Sequence, residues 1–469
     1  MTTVSADGTG EPTLFGHPRG LTWLFTTEMA ERFSYYGMRA ILVLYLTDYL
    51  LLHPAIDHVL GYQTVRHVME AVFNGGKPLG IQPLSSLLYG NYTAFVYLTP
   101  FFGGIVADRW LGQRYSVIVG GIIMAAGEFV LMLPQLLFIG LLLLIVGNGF
   151  FKPNISTQVG NLYKPGDSRI DRAYSIFYVG VNVGATASPL ICGTLGEKIG
   201  YQWGFFAAGV GMVLSLLVYL STLRTLPADR IGKLKSGAEA KKPLTGQDWK
   251  AVISLALLFV PIAFFWATYE QQGNTISLWA QDFTDRHLIP GMSWQIPVTW
   301  FQAFNPAMIV LFTPAIVWLW GRQAARGREP STVTKMALGL FFLTASYLVM
   351  ALAAYLAPHG QSSWLWLLVF FAFITLGELY VSPIGLALVA RVPPAQILSA
   401  MMGLWFITNF AGNQLQGYIG SFFSQMDKVH FFLLCAGIGA AAGVVTWLFN
   451  YPLRPILEVK PTPPALAEP

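Results

Sequence analysis

The sequence predicts an all-α membrane protein of about twelve transmembrane helices in two six-helix bundles, with both termini cytoplasmic. Three observations predict it. Charged residues fill only 11% of the 469 positions and hydrophobic residues fill 54%, where an average soluble chain is roughly 25% charged; mean hydropathy is +0.55. Apolar runs of the length that spans a hydrocarbon core, about twenty residues, recur along the whole chain. Lys and Arg are distributed unevenly between those runs. The pI of about 9.0 therefore reflects topology, and nucleic-acid binding is not expected.

Taken in order, the spans fall near 20–52, 83–107, 114–134, 136–161, 171–195 and 201–224, then 249–281, 299–321, 334–357, 363–391, 396–424 and 429–451. Several exceed the minimum, so tilt or extension beyond the bilayer is expected. This divides the chain into an N-terminal tail (1–19), a first bundle (20–224) with a long outer loop at 53–82, a linker (225–248), a second bundle (249–451) and a C-terminal tail (452–469). Residues 1–20 are polar and contain Gly and Pro, without the short apolar core of a cleavable signal peptide. With the N-terminus inside, twenty of the 28 Lys and Arg residues are cytoplasmic. Five are outside (Arg66, Lys77, Lys198, Arg286, Lys428), and Arg32, Arg39 and Lys152 lie within spans. The positive-inside rule then sets both termini in the cytoplasm. Cys192 and Cys435, each in an apolar run, read as small buried hydrophobes and not as a disulfide or metal site.

The polar stretch 224–250 after the sixth span suits a solvated linker with one amphipathic turn. Six spans on either side of a basic cytoplasmic linker resemble the major facilitator layout, in which two halves rock about a central site. "GGIVADRWLGQR" (103–114), between spans two and three, resembles that superfamily's G-x-x-x-D-R-x-G-R loop with one extra residue before Gly112. Asp108 and Arg109 are expected to pair across helix ends there; an ordinary charged turn is the alternative.

Within span one, "EMAERFSYYG" (28–37) carries charge where charge is costly. At 100° per residue, Glu28, Glu31, Arg32, Tyr35 and Arg39 share about a third of the helix circumference. Lipid-facing charge costs at least a few kcal/mol per residue, so this stripe faces protein or a water-filled cavity. Glu28 and Arg32, at i and i+4, can pair. With one base between two carboxylates, a carboxyl can take up a proton near neutral pH; a structural ion pair locking two helices is the alternative.

Other spans add Lys152 in "GNGFFKPNIS", Asn182, Glu270 four residues after Trp266, Asn305, and Glu378 one turn before Ser382; Trp405 and Asn409 lie one turn apart. Arg39 and Lys152 on one wall and Glu378 on the other suit a zwitterion with a free α-carboxylate and a free α-ammonium. A salt bridge from Glu378 to Lys152 is compatible with that reading, because substrate can open it. Glu128 has no obvious partner and reads as structural.

These motifs resemble the proton-dependent oligopeptide transporter family. Span one matches E-x-x-E-R-F-x-Y-Y-G at every defined position, and "GFFKPNIS", "FYVGVN", "FWATYEQQG", "GELYVSPIGL" and "LWFITN" recur in order. The resemblance implies proton coupling at Glu28, Glu31, Arg32 and Glu270. It implies an outer gating pair, Arg39 with Glu270, and an inner one, Lys152 with Glu378. The peptide carboxylate would meet Arg39 and Lys152, and its ammonium Glu378, Asn182 and Asn305. Tyr35, Tyr36, Tyr97, Trp266 and Trp405, with Ser382, would line the pocket. The implied activity is import of di- and tripeptides with protons by alternating access, in a multi-pass, monomeric protein of the bacterial inner (plasma) membrane, with no cofactor beyond the proton. Peptide-like drugs are a substrate class the resemblance leaves open.

Two departures stand out. Animal members carry a histidine in the second helix where this chain has Gly90, and all seven histidines here (17, 53, 58, 67, 287, 359, 430) lie in loops or at helix ends. The proton path is thus expected to rest on carboxylates. The linker is too short and polar for the two extra helices of many bacterial members. Three histidines fall in the 53–82 loop, where solvated side chains are expected over a metal site. A transporter of nitrate or an organic acid would have no use for Glu378. An intramembrane enzyme would need an H-E-x-x-H, G-x-S-x-G or phosphate-cradling glycine motif, none of which is present. A receptor would not need a proton site in span one.

Overall fold

A computed structural model describes residues 3–4, 12–14, 16–54, 56–164, 167, 169–227, 229, 245–289, 291–358, 360–393 and 397–457. The middle of the expected linker with its amphipathic turn, most of the N-terminal tail, the C-terminal tail after residue 457, and His359 lie outside the described residues.

The chain is built of helices: α1 (Arg19–Leu44), α2 (Tyr62–Phe73), α3 (Ile81–Val106), α4 (Gln113–Val130), α5 (Leu137–Asn161), α6 (Ile170–Ser188), α7 (Thr194–Lys198) and α8 (Tyr201–Thr222) precede the linker. After it come α9 (Gly246–Tyr269), α10 (Thr275–Asp282), α11 (Phe304–Ala325), α12 (Thr332–Leu356), α13 (Leu365–Arg391), α14 (Leu398–Gly420) and α15 (Lys428–Leu457). Among the described residues, eight segments are long and apolar enough to cross a membrane, from Pro134–Asn161 to Lys428–Leu457. The remaining long helices α1, α3, α4 and α14 are more polar. In α1 the cause is Glu28, Glu31, Arg32 and Arg39, and in α14 it is Asn409, Asn413, Gln414 and Gln416.

Before the linker, α1 packs on α6 and α8, and α5 packs on α3 and α4. After it, α12 packs on α13 and α15, and α9 on α14 and α15. The seams between the two halves of the chain are α3 with α14 and α6 with α11. The first seam is backbone against backbone: a Cβ added to Gly90 would lie 2.5 Å from the Gly417 Cα. Small residues permit such approaches between apolar helices, where dispersion and not the hydrophobic effect drives association.

The 103–114 loop differs in one respect from the expectation. Asp108 and Arg109 are exposed, and neither makes an ion pair among the described residues. Arg114 makes the links instead. Its backbone N–H donates to Asp229 Oδ1 (3.2 Å), and its guanidinium donates to Pro227 O (3.0 Å) and Leu226 O. Gly112, at φ 77°, lets the Asp229 carboxylate approach where a Cβ would collide with it. The loop thereby pins the start of the linker, with the fixed donors of the Arg114 guanidinium reaching two backbone carbonyls.

Candidate functional site

The charged stripe on α1 is buried, with Glu28, Glu31, Arg32, Tyr35 and Arg39 each at most 7% exposed. Arg32 forks its Nε and Nη2 onto the two oxygens of Glu31, while Glu28 Oε1 is 3.4 Å from Arg32 Nε. The tighter partner is thus the neighbouring Glu31 and not Glu28 at i, i+4. Glu28 keeps one carboxyl oxygen, Oε2, with no protein partner. The Arg32 guanidinium also lies over the Tyr35 ring at 4.9 Å and the Tyr36 ring at 5.9 Å.

One turn further, Arg39 donates to Tyr89 Oη (2.7 Å) and forms an ion pair with Glu270 across the two halves of the chain. Glu270 stands where α9 ends and the chain tightens into a 3-10 turn, Glu270–Gly273. Tyr269, just before it, donates to Glu378 Oε2 (2.6 Å), and Asn305 Nδ2 donates to the same oxygen (3.0 Å) and to Thr375 Oγ1 (3.1 Å). Glu378 is therefore held by neutral donors on α9 and α11. Lys152 makes no ion pair with it; its ammonium sits 5.4 Å from the Tyr97 ring centre.

Among the remaining candidates, Trp266 packs edge-on against Tyr269 (5.4 Å), and Trp405 against Phe259 (5.5 Å) and over Gly385. Tyr35 and Tyr36 meet edge to face at 5.1 Å. Asn182 Nδ2 donates back to Tyr178 O on its own helix, and Ser382 is half-buried on α13. The Tyr35 hydroxyl, Tyr92 hydroxyl and Trp266 indole N–H are buried without a protein partner. Unpaired buried polar atoms cost about 1–3 kcal/mol each, so in this neighbourhood they call for water or a polar ligand. Glu128 is buried with Ser34 as its hydrogen-bond partner (3.3 Å) and, among the described residues, no cation beside it. His67, expected in a loop, lies in the middle of α2 and lines an open depression with Gln63, Arg66, Glu70 and Pro78. Among the described residues no group of three metal-ligating side chains comes together.

Hydrogen bonds between the halves cluster at the α2 end. Gln82 Nε2 donates to Gly420 O (2.9 Å), Ser86 Oγ to Asn274 Oδ1 (3.0 Å), and Gln302 Nε2 to Ala40 O (3.0 Å). Glu197, at the end of α7, accepts from the backbone N–H groups of Val298 and Thr299 (both 2.8 Å) and from Thr299 Oγ1 (2.7 Å). Trp300 Nε1 donates to Thr194 Oγ1 (2.8 Å) beside it. The Gly90–Gly417 contact leaves no room for a histidine at position 90.

Sequence reasoning passed over Tyr89, Tyr269, Thr375 and Glu197. Tyr269 was legible as the residue before Glu270 in "FFWATYEQQGN", and Glu197 as a carboxylate closing a helix in "GTLGEKIG".

The POT family matches residues 114–234 and 233–442. The chain is 34% identical to the di-/tripeptide transporter of Lactococcus lactis subsp. cremoris, over 95% of this chain and 98% of that one. It is 31% identical to the peptide transporter YePEPT of Yersinia enterocolitica subsp. palearctica, over 97% and 98%. It is similar to a crystal structure of a mutant peptide transporter POT in complex with alafosfalin (TM-score 0.81, 30% identity, 95% and 97% covered). It is also similar to a POT family transporter in complex with 5-aminolevulinic acid (TM-score 0.79, 27% identity, 95% and 98% covered).

Proposed function

The chain belongs to the POT family of transporters, which are not enzymes, and from that premise we propose that it is a symporter importing di- and tripeptides with protons by alternating access. In this reading twelve helices cross the inner membrane as two six-helix bundles, 20–224 and 249–451. Both termini and the linker are cytoplasmic, as the 20-to-5 split of Lys and Arg favours, so the α2 end is outside.

One observation carries the substrate assignment: Glu378 is fixed by two neutral donors, Tyr269 and Asn305, and not by Lys152. A carboxylate so held is oriented yet uncompensated, and an α-ammonium is the charge that completes it. Arg39 and Lys152 take the α-carboxylate, with Asn182 and Asn305 beside the amine end. Tyr35, Tyr36, Tyr97, Trp266, Ser382 and Trp405 line the space between and tolerate varied side chains. Two-ended recognition of this kind also fits peptide-like molecules carrying the same charges, consistent with the ligands of the related structures.

The cross-links at the α2 end correspond to the state with the outer side closed. Reopening it requires Arg39 to leave Glu270. A proton on Glu270 removes the charge that holds Arg39, and the freed guanidinium engages the peptide carboxylate. Glu28, Glu31 and Arg32 form the second proton site: Glu31 is committed to Arg32, and Glu28 keeps a free oxygen. In the outward state Lys152 pairs with Glu378, and peptide opens that pair. The membrane potential contributes about 2.3 kcal/mol per charge per 100 mV, enough for one proton to concentrate peptide roughly fiftyfold at that potential.

The test is uptake of radiolabelled dialanine into proteoliposomes with and without an imposed inward proton gradient. Accumulation only with the gradient supports the proposal; equal uptake without it, or uptake of nitrate in place of peptide, overturns it.

A further inference from the structure

The long loop between the first two spans has no part in the transport cycle described above, yet its helix α2 is built with three distinct faces. At 100° per residue, Tyr62, Val65, Met69 and Phe73 point one way and pack on the protein. Gln63, His67 and Glu70 lie on a second face and border the open depression. The third face carries Thr64, Val68, Ala71 and Val72, all exposed, with Val68 at 47% and Val72 at 66%. A helix capping the end of a bundle needs one packed face and one polar face. The additional exposed apolar face, about 120° from each of the others, is unexplained by water alone.

The position of α2 accounts for it. Asn91 Nδ2 contacts Met69 Sδ at 3.6 Å, and Asn91 is ten residues into α3, about 15 Å along its axis. The helix therefore lies against the flank of α3 and not on top of it. At one end, Leu60 N–H donates to Gln135 O (2.9 Å), beside α5. At the other, the Phe73 ring meets Tyr418 on α14 at 6.4 Å. On that flank Phe95, one turn beyond Asn91, and Tyr418 are both exposed apolar side chains.

We propose that α2 is an interfacial helix, seated in the outer leaflet with Val68, Ala71 and Val72 among the lipid headgroups and upper acyl chains and with Gln63, His67 and Glu70 facing water. The occupant of the apolar face is lipid. The face is short and continuous with the apolar flank of α3 and α14, as an in-plane amphipathic helix requires. Because α2 touches α3 at Asn91 and α14 at Tyr418, it lies across the α3–α14 seam, and lipid at this face contacts both halves. The leaflet assignment rests on the transporter reading; the depth of the helix does not.

The test uses bimane attached at Val68→Cys, at Val72→Cys and, for the polar face, at His67→Cys, in the otherwise unaltered protein, whose Cys192 and Cys435 are buried. Proteoliposomes carry phosphatidylcholine spin-labelled at acyl carbon 5 or carbon 16, or face aqueous iodide. Val72→Cys and Val68→Cys should lose about half their emission with the carbon-5 label, less with the carbon-16 label, and little with iodide, as a depth of about 5–10 Å implies. His67→Cys should show the reverse order. Iodide quenching of Val72→Cys and Val68→Cys equal to that of His67→Cys, without lipid quenching, overturns the proposal. So does protection from both quenchers, the result expected if a second copy of the chain covers the face. Dipeptide uptake by the same vesicles is read separately, so a failure of transport leaves the depth measurement standing.

Discussion

Tyr269 donates its phenolic hydrogen to Glu378 Oε2 at 2.6 Å, and the residue that follows it in the chain, Glu270, holds Arg39. The proposed amine subsite and the proposed proton gate are thus adjacent residues at a helix terminus. A hydrogen bond to a charged group is worth about 1.5–3 kcal/mol, so Tyr269→Phe should raise KM for a free-amine dipeptide at least about tenfold. An N-acetylated dipeptide, which has no ammonium for Glu378, should bind as weakly to the variant as to the parent. Equal losses for both peptides would show that Tyr269 serves packing alone.

Glu270→Gln removes the charge that fixes Arg39 while keeping the shape. Proton-driven accumulation of peptide should be abolished, whereas exchange of peptide across the membrane without a gradient should persist. Retention of uphill uptake on a proton gradient would remove Glu270 from the proton path. The double comparison matters because a misfolded variant would lose exchange as well.

Much of this was legible in the sequence, because charge in an apolar helix has few explanations. Glu28, Glu31, Arg32, Arg39 and Glu270 were all found from their cost in lipid, and all are buried in the structure. What the sequence could not give was pairing. The i, i+4 spacing points to Glu28 as the partner of Arg32, because sequence neighbours diverge by about 100° on a helix; side-chain torsions nevertheless bring the Arg32 fork onto Glu31. Lys152 and Glu378, read as a pair that substrate can open, are not paired in this structure; under the proposed alternating access this is the arrangement with the halves joined at the α2 end. Tyr269 and Glu197 escaped notice for opposite reasons. A tyrosine in an apolar run looks like core, and a carboxylate at a helix end looks like solvent.

At position 90 the structure predicts intolerance. An added Cβ would sit 2.5 Å from Gly417 Cα and 2.6 Å from its nitrogen, both backbone atoms that cannot rotate away. Gly90→Ala should therefore part α3 from α14, lowering the thermal midpoint by several degrees, in line with the usual 1–3 kcal/mol cost of overpacking. Gly90→His should fail to yield folded protein. A Gly90→Ala protein with an unchanged melting curve would mean that this seam is looser than its geometry.

The loop carrying α2 has its own clasp. Arg66 Nε and the Leu79 backbone N–H both donate to Glu70 Oε1, at 2.8 and 3.0 Å. The Arg66 guanidinium foremost, then the Leu79 amide, hold the Glu70 carboxyl below its ordinary value of 4.5. A depressed carboxylate stabilises the fold above its unfolded pKa, and that contribution is lost as pH falls through the folded value. The clasp should thus stay closed in mildly acidic medium and open only below the usual carboxylate range. Glu70→Gln should abolish that pH dependence, with Leu79 amide exchange fast at every pH. An amide equally protected in parent and variant would exclude the clasp.

Glu197 offers a last test, independent of any proton on Glu270. Its carboxylate joins α7 to the start of the segment leading into α11 through two backbone N–H groups and the Thr299 hydroxyl, and it has no cation of its own in the cluster. Hydrogen bonds to an ionised acceptor are the stronger kind, and here they bridge helices from opposite halves at the α2 end. Glu197→Ala leaves those donors exposed to water and removes the bridge, so the closed state loses stability relative to the open one while each half stays intact. Spin labels at the exposed positions Ile199→Cys and Trp294→Cys, one on each half, should then show a longer-distance population that the parent lacks. Because a shift of about 1.4 kcal/mol changes a two-state ratio tenfold, loss of even one such bond should be visible in the distance distribution. An unaltered distribution, with transport also unaltered, would reduce Glu197 to a local helix cap.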